Sequence, residues 1–196
     1  MLLNLNTIDL NHSSIKFIRS LLICSILFLL MACAAGPLAK TESREVPDFN
    51  KIEVGGLVNV QIEHGDKTEI KVRAYGIDMQ DIVTKVDNGA LLLTTKGFHS
   101  GESILITVVY TELVALKTSG SATIKTKGVL TAELINIEIT DAGDANLELD
   151  VKKLKIDMRG NGNLRLAGQA VSQSLTSHGG GGSLSNVDLK IIGQQG

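Results

Sequence analysis

The chain has 196 residues and a formal net charge of -2; 43% of its residues are hydrophobic, 20% charged and 3% aromatic, with no tryptophan. That length suffices for one domain with a substantial core and is short for two. Near-balanced charge and a shortage of rings on which bases could stack argue against nucleic acid as a partner.

At the N-terminus, Lys16 and Arg19 precede an apolar run from Leu21 to Cys33, which ends in the small residues Ala34, Ala35 and Gly36. A charged region, an apolar region and a small-residue exit form the layout of a secretory signal peptide. A membrane-spanning helix is the alternative, but it needs about 20 apolar residues, more than this run supplies. Leu30-Met-Ala-Cys33 resembles the bacterial lipoprotein signal, in which the cysteine becomes the acylated mature N-terminus; ordinary cleavage after Ala34 or Ala35 is the competing reading. Cys24 lies inside the apolar run and is discarded with it, so the mature chain keeps Cys33 alone and has no internal disulfide. The expected division is a signal peptide over 1–32, a solvated tether over 33–48 carrying Pro37, Pro47 and the charged run "KTESREVPD", and one domain over 49–196. Lipid attachment at Cys33 implies a membrane partner. Ala34, which is not acidic, points to the outer membrane, with the domain facing the periplasm or the surface.

From Phe49 to Tyr110 apolar and polar residues alternate, as in Val58/Val60/Ile62 and Ile70/Val72, which flank a tight reversal at "EHGDKT". A period of two marks strands with one face inward. Asn88-Gly89 between alternating runs predicts a hairpin with a type I′ turn. The best helical candidate beyond residue 50 is the short "YGIDMQDIV".

The second half repeats. "VALKTSGSATIKT", "INIEITDAGDANLEL", "LKIDMRGNGNLRL" and "SLTSHGGGGSLSN" align on Gly120, Gly143, Gly160 and Gly180, which are 23, 17 and 20 residues apart. Four residues after each glycine stands Ile124, Leu147, Leu164 or Leu184. A period near twenty marks stacked supersecondary units. Glycine at each bend supplies backbone angles that other residues adopt at a cost. The expected fold is therefore all-β: a solenoid-like stack of roughly 20-residue coils with glycine-rich turns, preceded by less regular strands and hairpins. An antiparallel sandwich with glycine-rich hairpins is the alternative.

Taken in order, "FNKIEVGGLVNVQIEHG", "VDNGALLLTT", "SILITVVYTELVALKTSGSATI" and the successive glycine turns resemble the head GIN domain family, grouped as auto-transporter adhesins of the bacterial envelope, over roughly residues 44–192. The resemblance implies a right-handed β-helix-like fold, frequent secretion or lipid anchoring, and no established activity. Ala122 and "DAGDA" depart from the "SGSG" pattern of the turns.

The candidate chemistry is sparse. "GGGGSLSN" leads into a strand and has no lysine, so it is not a phosphate loop. The alignment places Thr118, Asp141, Met158 and His178 in one column, with Asp144, Asp157 and Arg159 nearby. A polysaccharide-active enzyme using Asp141, Asp144, Asp157 and His178 as acids and bases is one reading; polar residues bonding the local turn backbone is the other. No histidine has a second ligand at metal spacing. The expectation is a non-catalytic binding or adhesion-type module without cofactor or metal. Its partner is a glycan, another envelope protein or a second copy of the chain. A structural or signalling accessory of the envelope is a further alternative.

Overall fold

The computed structural model describes residues 38–97 and 102–193. The signal peptide and Cys33 lie outside the described residues. The domain is all-β. Its strands are β1 (Lys40–Arg44), β2 (Lys51–Val54), β3 (Asn59–His64), β4 (Glu69–Tyr75), β5 (Ile82–Asp87), β6 (Ala90–Thr95) and β7 (Ser103–Tyr110), followed by β8 (Ala115–Thr118), β9 (Thr123–Thr126), β10 (Leu130–Asp141), β11 (Asp144–Gly160), β12 (Asn163–Ser177) and β13 (Ser183–Ile191). All thirteen belong to one mixed sheet, which curls nearly closed around a single core. "YGIDMQDIV" forms only a 3-10 turn, Met79–Asp81, whose first amides are capped by the Asp78 side chain accepting from the Gln80 amide.

The ladders of the second half are parallel. Leu116 on β8 lies beside Ile137 on β10, Ile137 beside Ile156 on β11, and Ile156 beside Leu175 on β12. Around the next corner, Ile124, Ala145, Leu164 and Leu184 stand side by side. Each step is 19 to 21 residues along the chain, and identical inward positions carry aliphatic side chains that are almost wholly buried, among them Leu116, Ile124, Ile137, Ile156 and Leu164. A buried aliphatic side chain contributes about 1.5–3 kcal/mol, so each added strand is held by the column of side chains beneath it.

Turn geometry corrects the alignment of the glycines. Gly120, Gly160 and Gly180 all have positive φ, at 64°, 117° and 117°. The residue at the equivalent corner of the second copy is Asp141, with φ 56°, registered directly beside Gly160. Gly143 stands two residues further on, in a second column with Ala122, Gly162 and Gly182; a Cβ on Gly162 would strike the Gly143 carbonyl, and one on Gly182 the Gly162 carbonyl. Aspartate visits the left-handed region more readily than most residues, so the second corner dispenses with glycine and the glycine-based alignment slips by two. Accordingly Ile139, not Asp141, follows Thr118 and precedes Met158 in the ladder. The fourth corner, "HGGGG", holds one residue more than the others.

The first half is not a separate irregular preamble. β2 pairs in parallel with β6 and β8, and β3 with β7 and β9, so both extend the ladders of the second half. Antiparallel pairing is confined to the ends: β5 on β6, β4 on β7 and β1 on β4. The β5–β6 hairpin turns at Asn88-Gly89 with φ 50° and 74°, both positive as a type I′ turn requires. The reversal at "EHGDKT" is not a hairpin, because β7 inserts between β3 and β4.

Within the stretch 33–48 expected to be a tether, five residues are ordered against the sheet. Lys40–Arg44 is strand β1, and Arg44 ties it down by donating to the carbonyls of Ile82 at 2.5 Å and Met79 at 2.6 Å and to Thr84 at 3.2 Å.

The corners set the tolerance of the fold. A Cβ on Gly160 would collide with the Asp141 backbone, whereas at Gly128, φ 83°, nothing lies within 4 Å. Gly160→Ala therefore combines backbone strain with a steric clash and destabilises by about 3 kcal/mol or more. Gly128→Ala costs only the strain, about 1 kcal/mol. Denaturant midpoints of the two variants measure the difference; equal losses would contradict the close-contact account.

Candidate functional site

The outward positions of eight adjacent strands form a polar face. Across it, Ser43, Lys71, Thr107 and Gln61 on β1, β4, β7 and β3 lead directly into Lys125, Asn146, Arg165 and Ser185 on β9, β11, β12 and β13. Outside β1, which is exposed from Lys40 to Ser43, each is flanked along its own strand by inward residues, such as Ile124 before Lys125 and Leu164 before Arg165, so alternation holds the polar side chains on one side. A parallel row two residues away contains Arg73, the exposed Leu105, Asn59, Thr123, Asp144, Asn163 and Ser183. Between the rows a groove of about 500 Å³ is lined by Thr123, Lys125, Asp144, Asn146, Asn163 and Arg165 among others.

Hydrogen bonds between neighbouring strands fix much of this surface. Asp144 Oδ1 accepts from the Asn163 backbone amide at 2.7 Å and from Asn163 Nδ2 at 3.0 Å, and Ser183 Oγ donates to Asn163 Oδ1 at 2.7 Å. At the corner, Asp141 Oδ2 accepts from the Gly120 amide at 3.2 Å, and Asn161 Oδ1 accepts from the Gly181 amide at 2.7 Å. These carboxylates and amides satisfy backbone donors that the tight corners leave over.

The four residues of the enzymatic reading do not share one groove. Asp157 and His178 come together, with His178 Nε2 3.2 Å from Asp157 Oδ1. Asp157 is also gripped by Arg159, which donates from Nη2 at 2.6 Å and from Nε at 3.0 Å. The Arg159 hydrogen bonds hold the Asp157 carboxyl below the usual carboxylate range, aided by His178. Asp141 is engaged instead with Gly120 at the preceding corner, and Asp144 with Asn163 on the following strand. Among the described residues no group of three or more His, Cys, Asp or Glu side chains is placed to hold a metal ion.

Residues 48–191 match the family model described as "Putative auto-transporter adhesin, head GIN domain". The chain belongs to this family. The family's description names an adhesin-type domain and no reaction. Among solved structures, the GIN domain is similar to a "putative adhesin" from Bacteroides fragilis NCTC 9343, 23% identical over 79% of this chain and 73% of that one, with a TM-score of 0.72. A "putative adhesin" from Parabacteroides distasonis ATCC 8503 is 20% identical over 78% and 75% of the two chains, with a TM-score of 0.65. A "putative lipid binding protein" from the same organism is 18% identical over 77% and 74%, with a TM-score of 0.61. At these identities the likeness is one of fold. Among curated proteins none matches the chain.

The cations of the GIN domain's polar face, Lys71, Arg73, Lys125 and Arg165, are absent from the candidates read off the sequence. A signal for two of them exists: Lys125 and Arg165 each directly follow the first inward aliphatic residue after a corner, in "TIKT" and "NLRL". Lys71 and Arg73 have no such signal, because β4 reaches this face only through β7.

The Asp157 cluster yields a titration test. In the folded GIN domain the carboxyl pKa is lowered. The associated stabilisation is therefore present above the unfolded pKa and disappears as pH falls through the folded value. In Arg159→Ala the NMR-detected Asp157 midpoint rises toward the ordinary aspartate value; an unchanged midpoint would show that Arg159 does not govern it.

Proposed function

We propose that this GIN domain is an exported, outer-membrane-anchored binding module, held by lipid on Cys33, that engages a partner through its extended polar face without turning over a substrate. In this reading the parallel ladders are successive coils of a right-handed β-solenoid, the hand that parallel crossovers almost always take. Stacked repeats present long rigid surfaces, on which many weak contacts form with little loss of side-chain freedom.

The observation that carries the proposal is the division of labour among polar residues. Asp141, Asp144, Asn161 and Asn163 are committed to backbone and neighbouring side chains at the corners, while a continuous eight-strand row of polar and cationic side chains faces outward beside them. Such a surface suits recognition by surface contact, whereas acid–base turnover needs facing groups within reach of one reacting atom. Membership of an adhesin-type family supports export to the envelope, and the N-terminal layout around Leu30-Met-Ala-Cys33 supports lipid attachment. A lipid chain contributes about 0.8 kcal/mol per buried methylene, so several acyl chains on one terminus hold the module firmly.

Two measurements test the proposal in cells expressing the full-length chain. With a tagged fatty acid, the wild type takes up label and sediments with membranes, while Cys33→Ser takes up none and becomes soluble; label retained by the variant overturns the anchor. Detergent-solubilised wild type also retains an envelope component on an affinity support, and Asp157→Asn with His178→Ala leaves that retention intact. Loss of retention in that double variant would favour the enzymatic reading.

A further inference from the structure

Several cations of this domain are neutralised by a neighbour. Lys117 pairs with Glu138 at 3.3 Å, Lys127 with Glu63 at 2.8 Å, Lys152 with Glu133 at 2.7 Å and Arg159 with Asp157 at 2.6 Å. The polar face gathers four that are not. Among the described residues no carboxylate forms an ion pair with Lys71, Arg73, Lys125 or Arg165, and all four side chains are exposed. The single acid within the two rows, Asp144, already accepts two hydrogen bonds from Asn163. The next outward row carries Glu69, Glu63, Glu148 and Asp188, with Lys127 held by Glu63, so the band has a mainly acidic margin on one side.

The spacing of that band is set by the sheet. Lys71 and Lys125 are separated by β7 and β3, and Lys125 and Arg165 by β11. At about 4.8 Å per strand, those cations stand roughly 14 Å and 10 Å apart on a track about 34 Å long. The side chains between them, Thr107, Gln61 and Asn146, are neutral donors and acceptors. Tyr75, 42% exposed, follows Arg73 on the same side of β4 and adds an aromatic surface at the edge.

We propose that this face is a binding track for an anionic polysaccharide, laid across the strands with its acidic groups on Lys71, Arg73, Lys125 and Arg165 and its hydroxyls on the neutral positions between. The proposal rests on the binding-module reading above and gives it a ligand class. Cations three and two strand spacings apart fall on multiples of one repeat, as the charges of a regular polymer do. The strand spacing is close to the length of one pyranose unit in an extended chain, so charge and hydroxyl recognition fall in step. Nucleic acid fits the same charge poorly, because the face offers one tyrosine where a base-binding surface uses several rings.

The test uses the full-length protein carrying Cys33→Ser, which has no acyl chain to insert into a bilayer, with polygalacturonate, with the same polymer fully methyl-esterified, and with vesicles containing phosphatidylglycerol; wild type here means wild type at every other position. The wild type binds the acid polymer, more weakly as salt rises. Lys125→Gln with Arg165→Gln weakens binding about tenfold, the scale expected for losing two charge-assisted contacts at a surface. Lys51→Gln with Lys155→Gln, on a different outward row, leaves it unchanged. Equal binding of the esterified polymer, equal binding by the Lys125/Arg165 variant, or binding of vesicles but not polymer overturns the proposal. So does a wild type that binds no polymer. If the Lys125/Arg165 variant still retains its envelope component as the wild type does, the module reading stands and only the polyanion track falls.

Discussion

Close approach of backbone to backbone at the corners is the constraint on which the rest of this domain depends. Strands about twenty residues apart run in parallel only if each corner lies directly against the corner before it, and at three of the four corners there is then no room for a side chain. A Cβ on Gly120 would come within 3.0 Å of the Gly56 amide nitrogen, and one on Gly180 would meet the Gly160 carbonyl. Once corners are stacked, register follows, and with it the superposition of Leu116, Ile137 and Ile156 inside and of Lys125, Asn146 and Arg165 outside. Core and surface are two consequences of one close contact, since strand alternation sends consecutive residues to opposite sides.

That arrangement also explains why polar residues gather beside the glycines. Corners leave backbone amides without ladder partners, and Asp141, Asp144 and Asn161 accept from amides of the neighbouring coil-like turn, while Asn163 accepts from the Ser183 hydroxyl. An acidic residue near a glycine run therefore has a structural occupation before any chemical one. Lys125 and Arg165, each five positions past its corner glycine, have none, which is why the outward face, not the acidic corners, carries the functional argument.

The two ends of the sheet are managed differently. On the N-terminal side β1 and β5 close the path with antiparallel pairing, and Arg44 bonds β1 to the Met79–Ile82 segment, so backbone groups there are covered. On the other side β12 exposes Leu175 and Val171 beyond the reach of β13. An uncovered strand edge with apolar side chains invites further pairing.

Alternation, the Asn88-Gly89 turn and the period near twenty could be read without coordinates, because each is a relation between residues close in sequence or repeated in it. They sufficed for an all-β chain, one hairpin in its true place and membership of the head GIN family. Register was a different matter. Alternation says which side of a strand a residue takes but not which strand lies beside it, and glycine marks a corner only where no other residue can adopt its angles. Asp141 can, and so the copy containing Gly143 was misplaced by two residues. The insertion of β7 between β3 and β4, the pairing of β1 and the meeting of Lys71 and Arg73 with Lys125 and Arg165 on one face were decided by the tertiary structure alone. These contacts join segments far apart in the chain, and the shared core selects them by what it buries against it, a choice no local pattern encodes.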